Sequence, residues 1–411
     1  MKHASFNHCY RLVWRAVCSS WVAVPETGKA GRCKGSRLRT VLGLLSCCVT
    51  PTWVWAAPSG GEVTSGAAII THSDALTTIN QSSHKATINW QGFSVGAGEA
   101  VHFNQPSASA LTLNRVIGNE RSVIDGVMKA NGQVFLINSN GILFGAGSSV
   151  NVGGLVASTR NLSDADFNAG NYVFSGSAKA SVLNQGTLSA QEGGYISLLG
   201  SSVSNQGVIS ATKGTVALAA GDKITLNFSG DALLSVTLDQ GTLDALVHNQ
   251  QAIEADGGQV LLLAQAAEDL LGAQVNNGGL IQARTIDDLQ GSITLYAYGG
   301  TTQVDGTLDA SAPTGGDGGF IETSGEVVQV ADSAHITTWS ETGSSGNWLI
   351  DPTDFTIASS GGDISGATLS SQLANGSVSI ASTDGASGEL GDILVNDAIS
   401  WDAPTTLPKH T

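Results

Sequence analysis

No cysteine follows Cys48 in this chain of 411 residues, so nothing downstream rests on a disulfide framework. The absence suits a polypeptide that passes a narrow pore as an extended thread, where a disulfide loop would jam. Basic residues are also scarce. From residue 57 onward, ten lysines and arginines stand against 33 acids, a net charge of −23. Nucleic-acid binding needs clustered cations, so that class is excluded; the excess acid keeps the chain soluble and self-repelling. Proline and aromatic residues are sparse, and helical periodicity is almost missing. The apolar run of residues 41–49 falls short of the roughly 20 residues that span a bilayer. Six histidines in this region (His72, His84, His102, His248, His335, His410) show no ligand spacing, and no phosphate-binding loop is present. No metal or cofactor is expected.

What is present divides the chain in two. Residues 1–56 hold eight of the 18 basic residues and all five cysteines against one acid, Glu26. Lys29, Arg32, Lys34, Arg37 and Arg39 precede the apolar run, which has the layout of a secretory signal. Val54 and Ala56 supply suitable −3 and −1 residues, placing cleavage between Ala56 and Ala57. This leader is about twice the usual length. Its extra part carries Asn7, Tyr10-Arg11-Leu12-Val13-Trp14 and Trp21-Val22-Ala23-Val24, and it resembles the extended signal peptide region of large secreted surface proteins of Gram-negative bacteria. An amphipathic helix is the alternative, since Trp14 and Trp21 lie seven apart. A mitochondrial presequence fits less well, because the segments follow in secretory order.

Beyond residue 57, short β-type runs alternate with Gly or Asn turns, as in Thr87-Ile88-Asn89-Trp90 and Val134-Phe135-Leu136-Ile137. Asn184-Gln185-Gly186-Thr187-Leu188-Ser189-Ala190 returns 21 residues later as Asn205-Gln206-Gly207-Val208-Ile209-Ser210-Ala211. Weaker copies put Ile253, Ile281 and Leu308 at the same place, in steps of 44, 28 and 27. The step of 44 is close to two periods, with a paired-strand excursion near residues 224–238. A period in the low twenties fits one coil of a parallel β-helix, whereas a propeller blade needs about 40 residues or more. Coils stacked about 4.8 Å apart would superpose Leu188 on Ile209 and align Asn184 with Asn205 in a hydrogen-bonded ladder. Glycines would supply positive-φ corners.

Residues 60–165 carry the most specific pattern. They include Phe93-Ser94-Val95-Gly96-Ala97-Gly98-Glu99, Asn104-Gln105-Pro106, Ala130-Asn131-Gly132-Gln133-Val134-Phe135-Leu136-Ile137-Asn138-Ser139-Asn140-Gly141 and Val152-Gly153-Gly154-Leu155-Val156-Ala157-Ser158-Thr159. This block resembles the secretion domain of two-partner secretion exoproteins, the filamentous-haemagglutinin N-terminal domain, in the branch of the high-molecular-weight adhesins. With Asn347-Trp348-Leu349-Ile350-Asp351-Pro352 and the repeats, the resemblance covers nearly the whole chain. It implies an all-β, right-handed parallel β-helix with an N-terminal cap and short extra-helical hairpins. It also implies export through an outer-membrane β-barrel transporter. The family's Asn-Pro-Asn-Gly motif falls on Asn138, Ser139, Asn140 and Gly141, with Ser139 in place of proline. Those residues either meet the transporter or only shape a β-turn. The family's upstream Asn-Pro-Asn-Leu motif has no counterpart.

The expected organisation is a leader over residues 1–56, a secretion domain over 57–300, and continuing, truncated repeats over 301–411. The expected product is a monomeric, non-enzymatic adhesin or haemagglutinin, secreted or at the cell surface, with a glycan or protein receptor and no nucleic-acid partner. Two other classes compete. One is a polysaccharide-acting β-helix enzyme, since fold alone does not fix function. The other is the front part of a contact-dependent toxin-delivery exoprotein. Gly92-Phe93-Ser94-Val95-Gly96 matches a nucleophile elbow, but a strand is expected after it where that motif needs a helix. Gly315-Gly316-Asp317-Gly318-Gly319 resembles one piece of a calcium-binding array and reads as a turn.

Overall fold

The computed structural model describes residues 57–267, 272–382 and 391–401, together with two earlier strands. Ala56, the apolar run of the leader and the cysteines lie outside the described residues. The chain divides into two compact units, residues 1–53 and 54–411. In the first, Tyr10–Arg15 and Ser20–Pro25 pair antiparallel with Trp14 opposite Trp21. The interval between the tryptophans thus makes cross-strand partners and not a helix face.

The second unit is a parallel β-helix built on three ladders. The first runs from Leu76–Gln81 through Ala100–Asn104 and Val127–Ala130 to His335–Thr337. The second runs from Lys85–Trp90 through Gln133–Ile137 to Ser377–Ile380. The third runs from Ser122–Ile124 through Ser202–Asn205 to the latter part of Phe320–Val330. Inward side chains superpose rung on rung. Val150 lies beside Leu188, Leu188 beside Ile209, Ile209 beside Ile253 and Ile253 beside Ile281. Each is buried, which stabilises by about 1.5–3 kcal/mol per side chain.

Ile253 pairs directly with Ile209, so the 44-residue step is one coil and not two. The surplus leaves the stack as the antiparallel hairpin Lys223–Ser229 and Ala232–Gln240. Tyr172–Ser175 adds a third strand to it. This small sheet and the helix Asp164–Ala169 cover the outer face of the second ladder. Leu113, Phe135, Val156 and Tyr195 point outward there and are buried in a second apolar core. That is why Val134-Phe135-Leu136-Ile137 reads as a continuous apolar run, buried on both faces.

The first described rungs and the last strand of the first ladder are each covered by a different element. Glu62–Ser65 and Ala68–Ser73 pair antiparallel with the first rungs, forming the N-terminal cap. Beyond His335–Thr337 the helix Gly366–Leu373 lies over the first ladder. Its Gln372 side chain accepts from the Ile336 amide at 2.9 Å and donates to the Ala334 carbonyl at 3.2 Å, taking the place of a next strand.

The corner glycines act mainly through their lack of a side chain. A Cβ on Gly194, Gly214 or Gly258 would stand 1.9–2.0 Å from the carbonyl oxygen of the glycine one coil below. None of the three has positive φ; the left-handed residues are the preceding Gly193, Lys213 and Gly257, at 77°, 53° and 70°. The expectation of positive-φ corners therefore holds beside the stacked glycines and not at them.

Candidate functional site

The Asn138–Gly141 turn joins the second and third ladders. Its closure is a bond from the Gly141 amide to the Asn138 carbonyl at 3.0 Å, with the Asn138 Oδ1 accepting from the Asn140 amide at 2.9 Å. Asparagine at the first position and glycine at the fourth suit such a turn. Asn138 is fully buried and ties three coils together. Its Nδ2 donates to the Glu120 carbonyl at 2.9 Å and to Ser122 Oγ at 3.0 Å, while its amide donates to the Ser158 carbonyl at 2.9 Å. Asn140 Nδ2 donates to the Gly118 carbonyl at 2.9 Å. Gly141 has φ 108°, and a Cβ there would approach the Ser181 carbonyl at 3.3 Å. The four motif residues thus split into two buried anchors, Asn138 and Gly141, and two exposed residues, Ser139 and Asn140.

The asparagine ladder lies on the third sheet, higher in the same stack. Asn184, Asn205, Asn249 and Asn277 hold successive rungs, each Nδ2 donating to the next Oδ1 at 2.8 Å. The expected pair is there, and the weaker repeats extend it by two members.

Two arginines that sequence reasoning passed over fix the extra-helical elements. Arg160 has no exposed surface. It donates to the Ala178 carbonyl, to the Gly221 carbonyl at 2.6 Å, to Asp222 at 2.9 Å and to Thr242 Oγ1 at 3.2 Å. One guanidinium therefore holds the points where both excursions leave and rejoin the stack. Burial pulls its pKa below the ordinary arginine value, while Asp222 pulls it back up. Arg115 holds the start of the helix through the Leu162 carbonyl at 2.6 Å and Asp164 at 2.7 Å. Lys85 holds the other end, donating to the Phe167 carbonyl at 2.6 Å. The available signal was Arg160 itself, a lone cation directly after the apolar block of residues 152–159.

The other candidates are engaged in architecture. The Ser94 Oγ accepts from the Val123 amide at 3.0 Å, and the strand Ala100–Asn104 follows where an elbow needs a helix. Asp317 ties two separate loops together, its Oδ1 accepting from the Ser344 amide at 2.8 Å. Among the described residues, no three His, Cys, Asp or Glu side chains gather to hold a metal.

Residues 55–310 match the family described as TPS secretion domain, and residues 7–54 match the Extended Signal Peptide of Type V secretion system. Two relatives, both heme/hemopexin-binding proteins of Haemophilus influenzae, are 34% and 31% identical over 244 and 273 residues. The matched stretches cover 54% and 62% of this chain but only 26% and 30% of those proteins. The crystal structure of the HMW1 secretion domain from the same organism superposes with a TM-score of 0.66 at 27% identity, covering 83% of this chain and 84% of that one. The matched family is a secretion domain of exoproteins and not an enzyme family. The chain therefore belongs to the TPS secretion domain family and is a Gram-negative secreted protein, exported across the periplasm and outer membrane.

Proposed function

We propose that this chain is an adhesin- or haemagglutinin-type exoprotein, non-enzymatic, whose secretion domain over residues 57–300 addresses it to a dedicated outer-membrane β-barrel transporter. In this reading the leader is removed between Ala56 and Ala57, and the β-helix forms as the chain emerges. The observation that carries the transporter contact is the division within the motif: Asn138 and Gly141 are locked into the coils, whereas Ser139 and Asn140 face solvent. Ser139 makes no hydrogen bond to a described residue, so it is spare for a partner.

That division separates recognition from turn-making. Co-expressed with a cognate transporter, the wild-type chain should reach the medium, and Ser139→Glu should remain in the periplasm while its thermal unfolding is unchanged. Export of Ser139→Glu at the wild-type level would make the turn purely architectural. A wild-type chain that stays in the periplasm would refute the export reading itself.

A second cargo reading comes from the relatives described as heme/hemopexin-binding. Hemin titration of the secreted chain, followed at the Soret band, separates it from host-cell adherence. Saturable binding without adherence would favour the haem reading.

A further inference from the structure

The outer face of the first ladder carries a groove that the transporter reading leaves unused. Ala100–Asn104, Val127–Ala130 and Ser149–Ser158 form successive rungs there. The register sets Lys129 beside His102 on one side and Asn151 on the other. At about 4.8 Å per rung, the three side chains form one row across the strands. Asn104, Asn131 and Gln191 complete a cleft of about 650 Å³, within the roughly 300–1,000 Å³ of small-ligand sites.

Three properties define its ligand. First, no carboxylate among the described residues lines the groove, although the mature region is strongly acidic. Lys129 has no ion-pair partner among the described residues, whereas Arg115, Arg160, Lys213 and Arg284 each hold a carboxylate. The cation is therefore available to an outside anion. Second, the exposed lining is made of amides, a lysine and a histidine, with its two apolar members, Phe103 and Ala130, buried beneath. Such a surface donates and accepts hydrogen bonds. Third, the floor is preorganised. Asn131 exchanges two bonds with the Gln105 backbone, at 2.7 and 2.8 Å, and Asn104 donates to Asn80 Oδ1 at 2.8 Å. A rigid polar floor lowers the ordering cost of binding.

We infer that this groove binds an acidic saccharide, with Lys129 on the carboxylate and the amides of Asn151 and Gln191 on hydroxyls. The inference rests on the adhesin reading for its biological sense and supplies that reading with a ligand class.

The test titrates the secreted chain with tri-galacturonic acid and, in parallel, with neutral galactotriose. The acidic trimer should bind and the neutral one should not. Lys129→Ala should weaken acidic binding at least tenfold, with unchanged thermal unfolding. Absence of acidic binding, equal binding of both trimers, or indifference to Lys129→Ala would overturn the inference. Retention of Lys129→Ala in the periplasm would assign the groove to the transporter and overturn it as well. The two readings fail separately: a chain that adheres to cells without binding the acidic trimer refutes the groove alone. One that binds the trimer without adhering refutes the adhesin reading alone.

Discussion

Replacing Asn205 by valine tests whether the asparagine stack is a coupled unit. Asn205 has no exposed surface. It accepts from Asn184 at 2.8 Å and from the Gly207 amide at 3.3 Å, and it donates to Asn249 at 2.8 Å and the Ala252 carbonyl at 3.1 Å. Valine fits the column sterically, because Phe144 and Val304 occupy its next rungs below and above the four asparagines. The cost is therefore polar. Valine orphans one N–H of Asn184, the Oδ1 of Asn249 and the Gly207 amide. At about 1–3 kcal/mol per buried unsatisfied group, with partial relaxation, the loss should be about 3–5 kcal/mol. Asn249→Val alone should cost a similar amount. The double variant should cost less than the sum by about 1–3 kcal/mol, because the bond between the two sites is removed only once. Guanidinium denaturation of all four proteins measures this, followed by the fluorescence of buried Trp90 and Trp348 near the two ends of the stack. Coincident transitions from near-UV circular dichroism would license the free energies. Additivity within about 0.5 kcal/mol, or a single-variant loss below that, would refute the coupling argument.

Three further outcomes follow from the same structure. Arg160→Met should cost about 3–5 kcal/mol, since it strands Asp222 and the Ala178 and Gly221 carbonyls, and limited proteolysis should then cut first in residues 161–180 and 222–241. Gly214→Ala places a methyl carbon 1.9 Å from the Gly194 carbonyl and should cost about 1–3 kcal/mol or more, whereas Gly278→Ala, with open space around it and no positive φ, should cost less in the same melt. His248 is half-buried on the outer face of the third ladder, and burial lowers its pKa in the folded chain. The unfolded chain then binds the proton more tightly, so this contribution is intact above the ordinary histidine pKa of about 6.5 and is lost as pH falls below it. His248→Asn should remove that part of the acid sensitivity in urea melts between pH 7 and 5.

Legibility from sequence followed the range of the interactions. Leu188 over Ile209 and Asn184 over Asn205 were readable because a solenoid repeats its contacts at a fixed interval. The hairpin at residues 223–240 was readable as two β-type runs, but its relation to the coil count was not. Nothing local distinguishes a coil from an insertion of equal length, and only the pairing of Ile209 with Ile253 decides. The helix Asp164–Ala169 had a local signal that went unused: Ser163 accepts from the Asp166 amide at 3.0 Å, the Ser-x-x-Asp form of a capping box, and Gly170 ends the helix at φ 82°. The helix Gly366–Leu373 starts likewise at Ser365, whose Oγ accepts from the Thr368 amide at 3.1 Å. Arg160 could not be placed, because its partners lie 18 to 82 residues away. In the motif at Asn138, chemistry named a turn, but only the fold separates the buried anchors from the exposed pair.

The register of adjacent coils is open to a direct covalent measurement, helped by the absence of cysteine after residue 48. Ser189 and Ser210 are half-buried, outward-facing partners on neighbouring rungs. Their spacing of about 4.8 Å falls within the Cα separation of about 4.4–6.8 Å that a disulfide accepts. The pair Ser189→Cys and Ser210→Cys in the secreted chain should oxidise to one intramolecular disulfide under mild conditions. Ser189→Cys with Glu254→Cys, two rungs apart, should stay reduced. Equal cross-linking of both pairs, or failure of the first, would contradict the stacked β-helix on which the export reading stands.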